Sequence, residues 1–424
     1  MKTSTLSEFP VKQVVELPES SGSGQMQVDN SVLTMGEQAV LTRLMGNIAI
    51  HPSDIEIADV RKPMGKITGS KLVFLDCRLG IVVKMGKAGG DIWREIRAYL
   101  TLIEDPHLNQ IREYVPNFLG YTCGRDYDAF ALEDLKKKGY VELYDLFHAP
   151  AVTNQFKEKQ CQAVAALSDI HWKTISTQVP NIADIYVKNR FRDSVEKARV
   201  RIAEHNSEPE FKILRTFVKS DGLRINGEKT LGIERTLKVA LKNLEMLRPP
   251  HSVLGHGDSH LKNILAKGKS IKFIDWVNSS SCQDPAYDLG KYIHFLIHFY
   301  PLQLLQDEEI GLKVNDLKLD YALGAHGPEM SYDIKAFVPR GVDELVRSVP
   351  NNHFLFSCKI HDRGAPGRLL LAVAAATIGG IKYLPPKLSL ICLGESLKTL
   401  DRLHEVVQAR KANDLDVCLK ALTT

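Results

Sequence analysis

Paired cysteines are missing from this sequence. Its seven cysteines, Cys77, Cys123, Cys161, Cys282, Cys358, Cys392 and Cys418, lie far apart, are odd in number and form no CxxC pair. That excludes a zinc ribbon and a disulfide framework, and a reducing, cytoplasmic setting is expected. A long apolar run is missing as well. The longest, "LLLAVAAATIGGI" after Arg368, stops at Lys382, too short for a bilayer, and is expected to be a buried helix. The N-terminus, "MKTSTLSEFPVKQVVELPESSGSG", carries acidic residues where a signal peptide needs an apolar core. Charge of one sign is not in excess either. Lys and Arg number 55 against 51 Asp and Glu, and the basic residues are spread, so neither nucleic acid nor membrane is expected as a partner.

What is present is an ordinary globular composition, 44% hydrophobic and 25% charged, in a chain of 424 residues that is too long for one compact core. Residues 1–34 are polar, with "ESSGSGQ" as a flexible linker. A helix is expected over "MGEQAVLTRLMGNI", followed by β-prone runs "IEIADV", "KLVFLDC", "LGIVVKMG" and "DAFALEDL". Between the last two sits "DIWREIRAYLTLIED", with Ile92, Ile96, Tyr99 and Leu100 on one helical face. Everything after about 136 reads as mainly helical, except a β-prone pair around residues 251–276. The expected fold class is α+β: a β-rich N-lobe over 35–133 and a larger, mostly helical C-lobe over 134–424.

The densest chemistry is "GHGDSHLKNIL", residues 255–265. His256, Asp258 and His260 alternate as metal ligands on a strand would, but a binuclear site needs further His and Asp ligands to close its coordination shell. Ser259 lacks the second glycine of a G-x-S-x-G elbow. A bland surface loop leaves unexplained why this charged cluster adjoins an apolar hairpin that ends in another acid, "IKFIDW". Phosphoryl transfer accounts for more. It needs an aspartate to orient the attacking hydroxyl, Asp258, and hard oxygen ligands for magnesium, Asn263 and Asp275.

"HGDSHLKN" matches the H-G-D-x-x-x-x-N signature of the aminoglycoside phosphotransferase and choline kinase-like superfamily, and "FIDW" and "QDPAYDLGKY" resemble its second metal-binding acid and D-P-x-x-D-L segment. The resemblance is strong over 251–294 and weaker over 60–175. It implies a two-lobed protein-kinase-like fold, with ATP (or GTP) and Mg2+ as cofactors. The acceptor would be a hydroxyl of a small molecule such as an antibiotic, sugar or amino alcohol, and the enzyme a monomer or homodimer. A protein-substrate kinase and a non-catalytic nucleotide-binding pseudokinase are the alternatives.

That reading requires further parts upstream. Lys84 ends an apolar run and Glu95 follows eleven residues later, an expected ion pair that would hold the lysine against phosphates; Asp91 is the expected helix cap. "GKITGSKLVFLD" resembles the degenerate phosphate turn of small-molecule kinases, with N–H groups at Gly69, Ser70 and Lys71. "FALEDL" is similar to the inter-lobe connection, where the carbonyl of Glu133 and the N–H of Leu135 would hold the adenine. In the family's pattern His256 supports the loop, and His260 is a candidate beside the catalytic centre. Lys262 is expected to be solvated, and Asp288 to anchor the loop through backbone N–H bonds. The acceptor site is expected in 176–250 and 295–424, and residues 310–365 show no trustworthy helical period. Charges over "NIADIYVKNRFRDSVEKARVR" favour a neutral or anionic acceptor.

Overall fold

Thr34 and Glu37 start the described fold. The Thr34 hydroxyl accepts the Glu37 N–H and the Glu37 carboxylate accepts the Thr34 N–H, a capping box that opens helix α1 (Met35–Asn47). The same carboxylate pairs with Lys71 Nζ at 2.7 Å, so a local cap also ties α1 to the sheet. The structure is a computed structural model and describes residues 33–50, 56–61, 70–76, 80–147, 153–179, 181–204, 209–219, 222–303, 310–315, 318–323, 342–356, 362–382 and 384–423.

Strands β1 (Glu56–Arg61), β2 (Lys71–Asp76) and β3 (Ile81–Lys87) precede helix α2 (Asp91–Glu104), and β4 (Phe118–Cys123) and β5 (Tyr127–Glu133) follow it. They form one antiparallel sheet in the order β1-β2-β3-β5-β4. β4, "FLGYTC", is not among the strands read from sequence. β3 sits at the centre, with Lys84 opposite Leu72 on one side and Phe130 on the other. Ile92, Ile96 and Tyr99 of α2 are fully or almost fully buried, and each such side chain contributes gross apolar burial of about 1.5–3 kcal/mol. That packing fixes which turn of α2 faces β3.

The remaining chain is mainly helical. β6 (Val141–Glu142) and α3 (Leu143–Phe147) lead to α4 (Asn154–Lys173), a π-helical stretch (Ala183–Arg192), α5 (Asp193–Glu204) and α6 (Pro209–Lys219). A hairpin of β7 (Gly222–Ile225) and β8 (Glu228–Leu231) comes next, then α7 (Ile233–Lys242), α8 (Leu244–Leu247) and β9 (Val253–Gly255). The expected hairpin is present as β10 (Ile264–Lys267) and β11 (Ser270–Phe273), and β12 (Ser280–Gln283) pairs back with β9. α9 (Pro285–His294) runs through a π-turn (Phe295–Phe299) into α10 (Tyr300–Gln303). The chain closes with β13 (Ile310–Asn315), β14 (Lys318–Leu323), α11 (Val342–Asn351), α12 (Ala365–Ile378), α13 (Pro386–Gln408) and α14 (Leu415–Thr423).

Two corrections to the sequence reading follow. The helical region contains a further four-stranded sheet, ordered β13-β14-β7-β8, in which β7 and β8 are four residues each, too short for a period to show, while β13 and β14 do alternate and were not read as strands. Within 310–365 there is also a regular helix, α11, with Leu345, Val346 and Val349 buried on one face. The apolar run after Arg368 is the buried helix expected: α12 is buried along its whole length. Gly290 lets α9 press against it, since a Cβ there would lie 2.3 Å from that of Ala372. Among the described residues no helix is long and apolar enough to cross a membrane.

Candidate active site

The loop after β9 is held from below by one buried carboxylate. Asp288, on the first turn of α9, accepts the backbone N–H groups of His256 (2.8 Å) and Gly257 (2.7 Å), and its own carbonyl accepts the Ser259 hydroxyl. Burial opposes its charge, but the bonds from His171 and the loop outweigh that and hold its carboxyl below the ordinary range. Gly257 has φ +77°, and a Cβ there would come within 2.2 Å of the Asn278 carbonyl, so only glycine fits. His256 donates from Nε2 to the Ile274 carbonyl (2.9 Å) and accepts the Asp258 N–H on Nδ1 (3.2 Å). Both ring nitrogens are therefore spent on loop support, and Ser259 is buried and engaged. Neither the metal-hydrolase nor the serine-nucleophile reading has its atoms available.

Asp258 and Asn263 converge above this base. The Asn263 amide donates to the Asp258 carbonyl (2.9 Å), and its backbone carbonyl accepts the Ile274 N–H (2.9 Å), so Asn263 lies beside the residue preceding Asp275. Asp275 is left-handed, φ 65° and ψ 58°, a conformation uncommon outside glycine. Its Oδ1 is 3.2 Å from Lys84 Nζ, and Lys84 also pairs with Glu95. Burial works against the Lys84 ammonium, but Asp275 and then Glu95 outweigh it and raise its affinity for the proton. The structure thus brings Lys84, Glu95 and the partly exposed Asp275 into one network that joins β3, α2 and the segment after β11.

Two placements, those of Asp91 and Lys262, differ from expectation. Asp91 is not a cap: it is the first residue of α2 and pairs with Arg94, while Gly90 before it offers no side chain. Lys262 is not simply solvated, since its ammonium lies 4.4 Å from the centre of the Tyr144 ring and burial lowers its proton affinity. His260 stacks on Phe295 at 5.3 Å, with Nε2 3.7 Å from Asp258 Oδ2; burial pushes its pKa down to about 4 despite Asp258. Ser70 is buried at the start of β2 and Lys71 is paired with Glu37, while Gly69 lies outside the described residues. The Glu133 side chain accepts the Asn117 N–H and pairs with Lys138, and the Leu135 carbonyl accepts the Tyr140 N–H.

One residue escaped the sequence reading. Lys291 Nζ lies 3.1 Å from Asp258 Oδ1. Burial opposes the Asp258 charge, but Lys291 and then His260 reverse the balance and hold the carboxyl well below its ordinary range. In the sequence Lys291 is one lysine within "DPAYDLGKY"; only the helical spacing from Asp288, three residues earlier, hints that it faces the loop.

Beneath the loop runs a directional chain of hydrogen bonds. The Leu355 N–H is donated to His353 Nδ1 (3.2 Å), His353 Nε2 meets His171 Nδ1 (3.0 Å), and His171 Nε2 meets Asp288 Oδ2 (3.0 Å). Burial, and then His171, keeps His353 well below the ordinary histidine range; burial, and then Lys291, does the same for His294. Unfolded histidine takes a proton near pH 6.5 whereas these two do not, so the unfolded state binds more protons there and stability rises with pH. Stability should therefore fall as pH drops below about 6.5, by up to about 1.4 kcal/mol per pH unit for each ring. Urea unfolding between pH 7.5 and 5.5 checks this; a flat profile would contradict the neutral assignment.

Together the lysine–glutamate pair, the aspartate-bearing loop and the second acid make up the set of groups that phosphoryl transfer requires. Residues 178–312 match the family model described as the phosphotransferase enzyme family (APH), a span that includes the loop, Asp275 and Lys291. The match covers about a third of the chain, the part that carries the loop, and it is a likeness to phosphotransferases over that span. Among solved structures, a choline kinase from Cryptosporidium parvum is similar at 13% identity and TM-score 0.47, over 89% of this chain and 99% of that one. An ethanolamine kinase from Plasmodium vivax gives 11% and 0.47 over 91% of each. A choline/ethanolamine kinase family protein from Mesorhizobium loti gives 13% and 0.43, over 92% of this chain and 99% of that one. A comparison with curated proteins gives no match.

Proposed function

We propose that this protein is a kinase that transfers the γ-phosphoryl group of ATP or GTP to a hydroxyl of a small molecule. Residues 35–133 are read as the nucleotide-binding lobe and 134–424 as the lobe with the catalytic loop and acceptor site. The observation that carries the reading is Lys84, shared between Glu95 and Asp275. A lysine so held presents its charge at the junction of the lobes, where phosphates need a fixed cation. Ser70, with Gly69, is assigned to the phosphate turn, and the backbone of Glu133 and Leu135 to the adenine.

Asp258 is the orienting carboxylate. It accepts the proton of the attacking hydroxyl as the new O–P bond forms and the bond from Pγ to the β-phosphate oxygen breaks, releasing the nucleoside diphosphate. His260, neutral and stacked, limits where that carboxylate can swing. The donor set suits magnesium: with Nδ2 of Asn263 donated to Asp258, its Oδ1 remains as a hard oxygen ligand beside the Asp275 carboxylate. Bound there, the ion would neutralise charge on the β- and γ-phosphates. The setting we propose is cytoplasmic, with no membrane or nucleic-acid partner.

The test is acceptor transfer. Incubation with labelled ATP or GTP, magnesium and a cell extract, split into metabolite and protein fractions, should put the label into the metabolite fraction. Chelation of magnesium should abolish it. Label confined to protein would move the assignment to a protein kinase; bound nucleotide with no transfer to either fraction would leave a pseudokinase.

A further inference from the structure

Two cations stand on one face of α9, and one of them has no acid among the described residues to neutralise it. Tyr287 and Lys291 are one turn apart on α9, so they share a face. Lys291 is committed to Asp258 at 3.1 Å. Over the Tyr287 ring, at 4.3 Å from its centre, lies the guanidinium of Arg190, carried by the π-helical stretch. Among the described residues no carboxylate pairs with Arg190. Tyr186, whose ring neighbours that of Tyr287, donates its hydroxyl to Asp284 at 2.7 Å, and that acid is already taken by Arg368. Arg190 is half-buried, unlike its exposed neighbours Lys188 and Arg192.

A guanidinium held over a buried aromatic ring has lost much of its freedom to point elsewhere, while N–H groups turned away from the ring stay available. Short π-helical segments are frequent at functional sites, because the wider turn re-aims side chains. Arg190 is so re-aimed toward the face that Lys291 occupies. Lys291 is matched by Asp258, which leaves Arg190 as the cation on this face that no described carboxylate pairs with.

We infer that the hydroxyl acceptor is an anion, a hydroxy acid or an acidic sugar, whose negative group is bound by Arg190 with Lys291 while its hydroxyl meets Asp258. This rests on the kinase reading above and deepens it. A cationic acceptor would face two like charges beside the very carboxylate it must approach, and a neutral one would leave Arg190 uncompensated.

A matched set on one ring skeleton tests this: glucuronate, glucose and glucosamine, titrated calorimetrically into the full chain with magnesium and ADP. Glucuronate should bind at least about tenfold more tightly than the other two, the range of one charge-assisted contact. Arg190→Gln should erase that preference and Arg190→Lys should keep part of it. Because the readout is the ratio between acid and neutral sugar on one folded protein, a general loss of fold cannot mimic it. Equal or tighter binding of glucose or glucosamine, no binding of the acid, or an unchanged ratio in Arg190→Gln overturns the inference. Selective binding of the acid without Asp258-dependent phosphorylation supports the inference and sinks the kinase reading alone.

Discussion

Asp258→Ala slows phosphoryl transfer between about a hundredfold and ten-thousandfold, the span expected for losing a positioned general base, while nucleotide binding is retained. The two effects separate because the loop does not depend on this side chain. Asn263 bonds to the Asp258 backbone carbonyl, His256 accepts the Asp258 backbone N–H, and Asp288 holds the preceding two residues. Removing the carboxylate therefore deletes the proton acceptor and frees Lys291, but leaves Lys84, Glu95 and Asp275 where they are. Single-turnover transfer measured beside nucleotide titration checks both halves. Undiminished transfer would end the assignment of Asp258, and a collapse of nucleotide binding would mean that the loop is less independent than its hydrogen bonds require.

Arg368→Met costs about 3–5 kcal/mol of stability, the penalty for removing one partner of a buried charge cluster. The Arg368 guanidinium is wholly buried and binds Asp284 (2.7 Å) and Asp362 (2.8 Å) together. Without it two carboxylates would share an apolar interior with only the Tyr186 hydroxyl donating to Asp284 from a side chain. Asp284 also caps α9 by accepting the Ala286 N–H, so the helix carrying Asp288 and Lys291 loses its start as well. Chemical denaturation of the variant beside the parent measures the loss. A change under about 1 kcal/mol would show that the cluster is neutralised by proton uptake rather than by the arginine.

The parts that were legible in the sequence are those fixed by local spacing. Lys84 and Glu95 meet because a central strand and the next helix, one short turn apart, leave little choice of face. The loop reads clearly because Gly257 and Asp258 have no substitutes of similar shape. Arg190 and Lys291 were not legible as a pair. One sits in "YVKNRFR" among other basic residues and the other a hundred positions later, and only the packing of a π-helical stretch onto α9 joins them. Strands β7 and β8 escaped for another reason: "GLRI" and "EKTL" are too short for a period to show. Asp91 was misplaced as a cap because Gly90, which starts the helix, has no side chain to announce it.

The chain from Leu355 through His353 and His171 to Asp288 has a polarity, since each link takes a proton from one side and offers one to the other. A sequence of this kind tolerates no surplus. One added proton on His353 goes to Nδ1 and turns its 3.2 Å meeting with the Leu355 N–H into two donors face to face. Acid should therefore loosen the turn after α11, whose His353 leans on α4, before it reaches Asp258. Failure would begin in the scaffold, with the catalytic carboxylate still charged and in place.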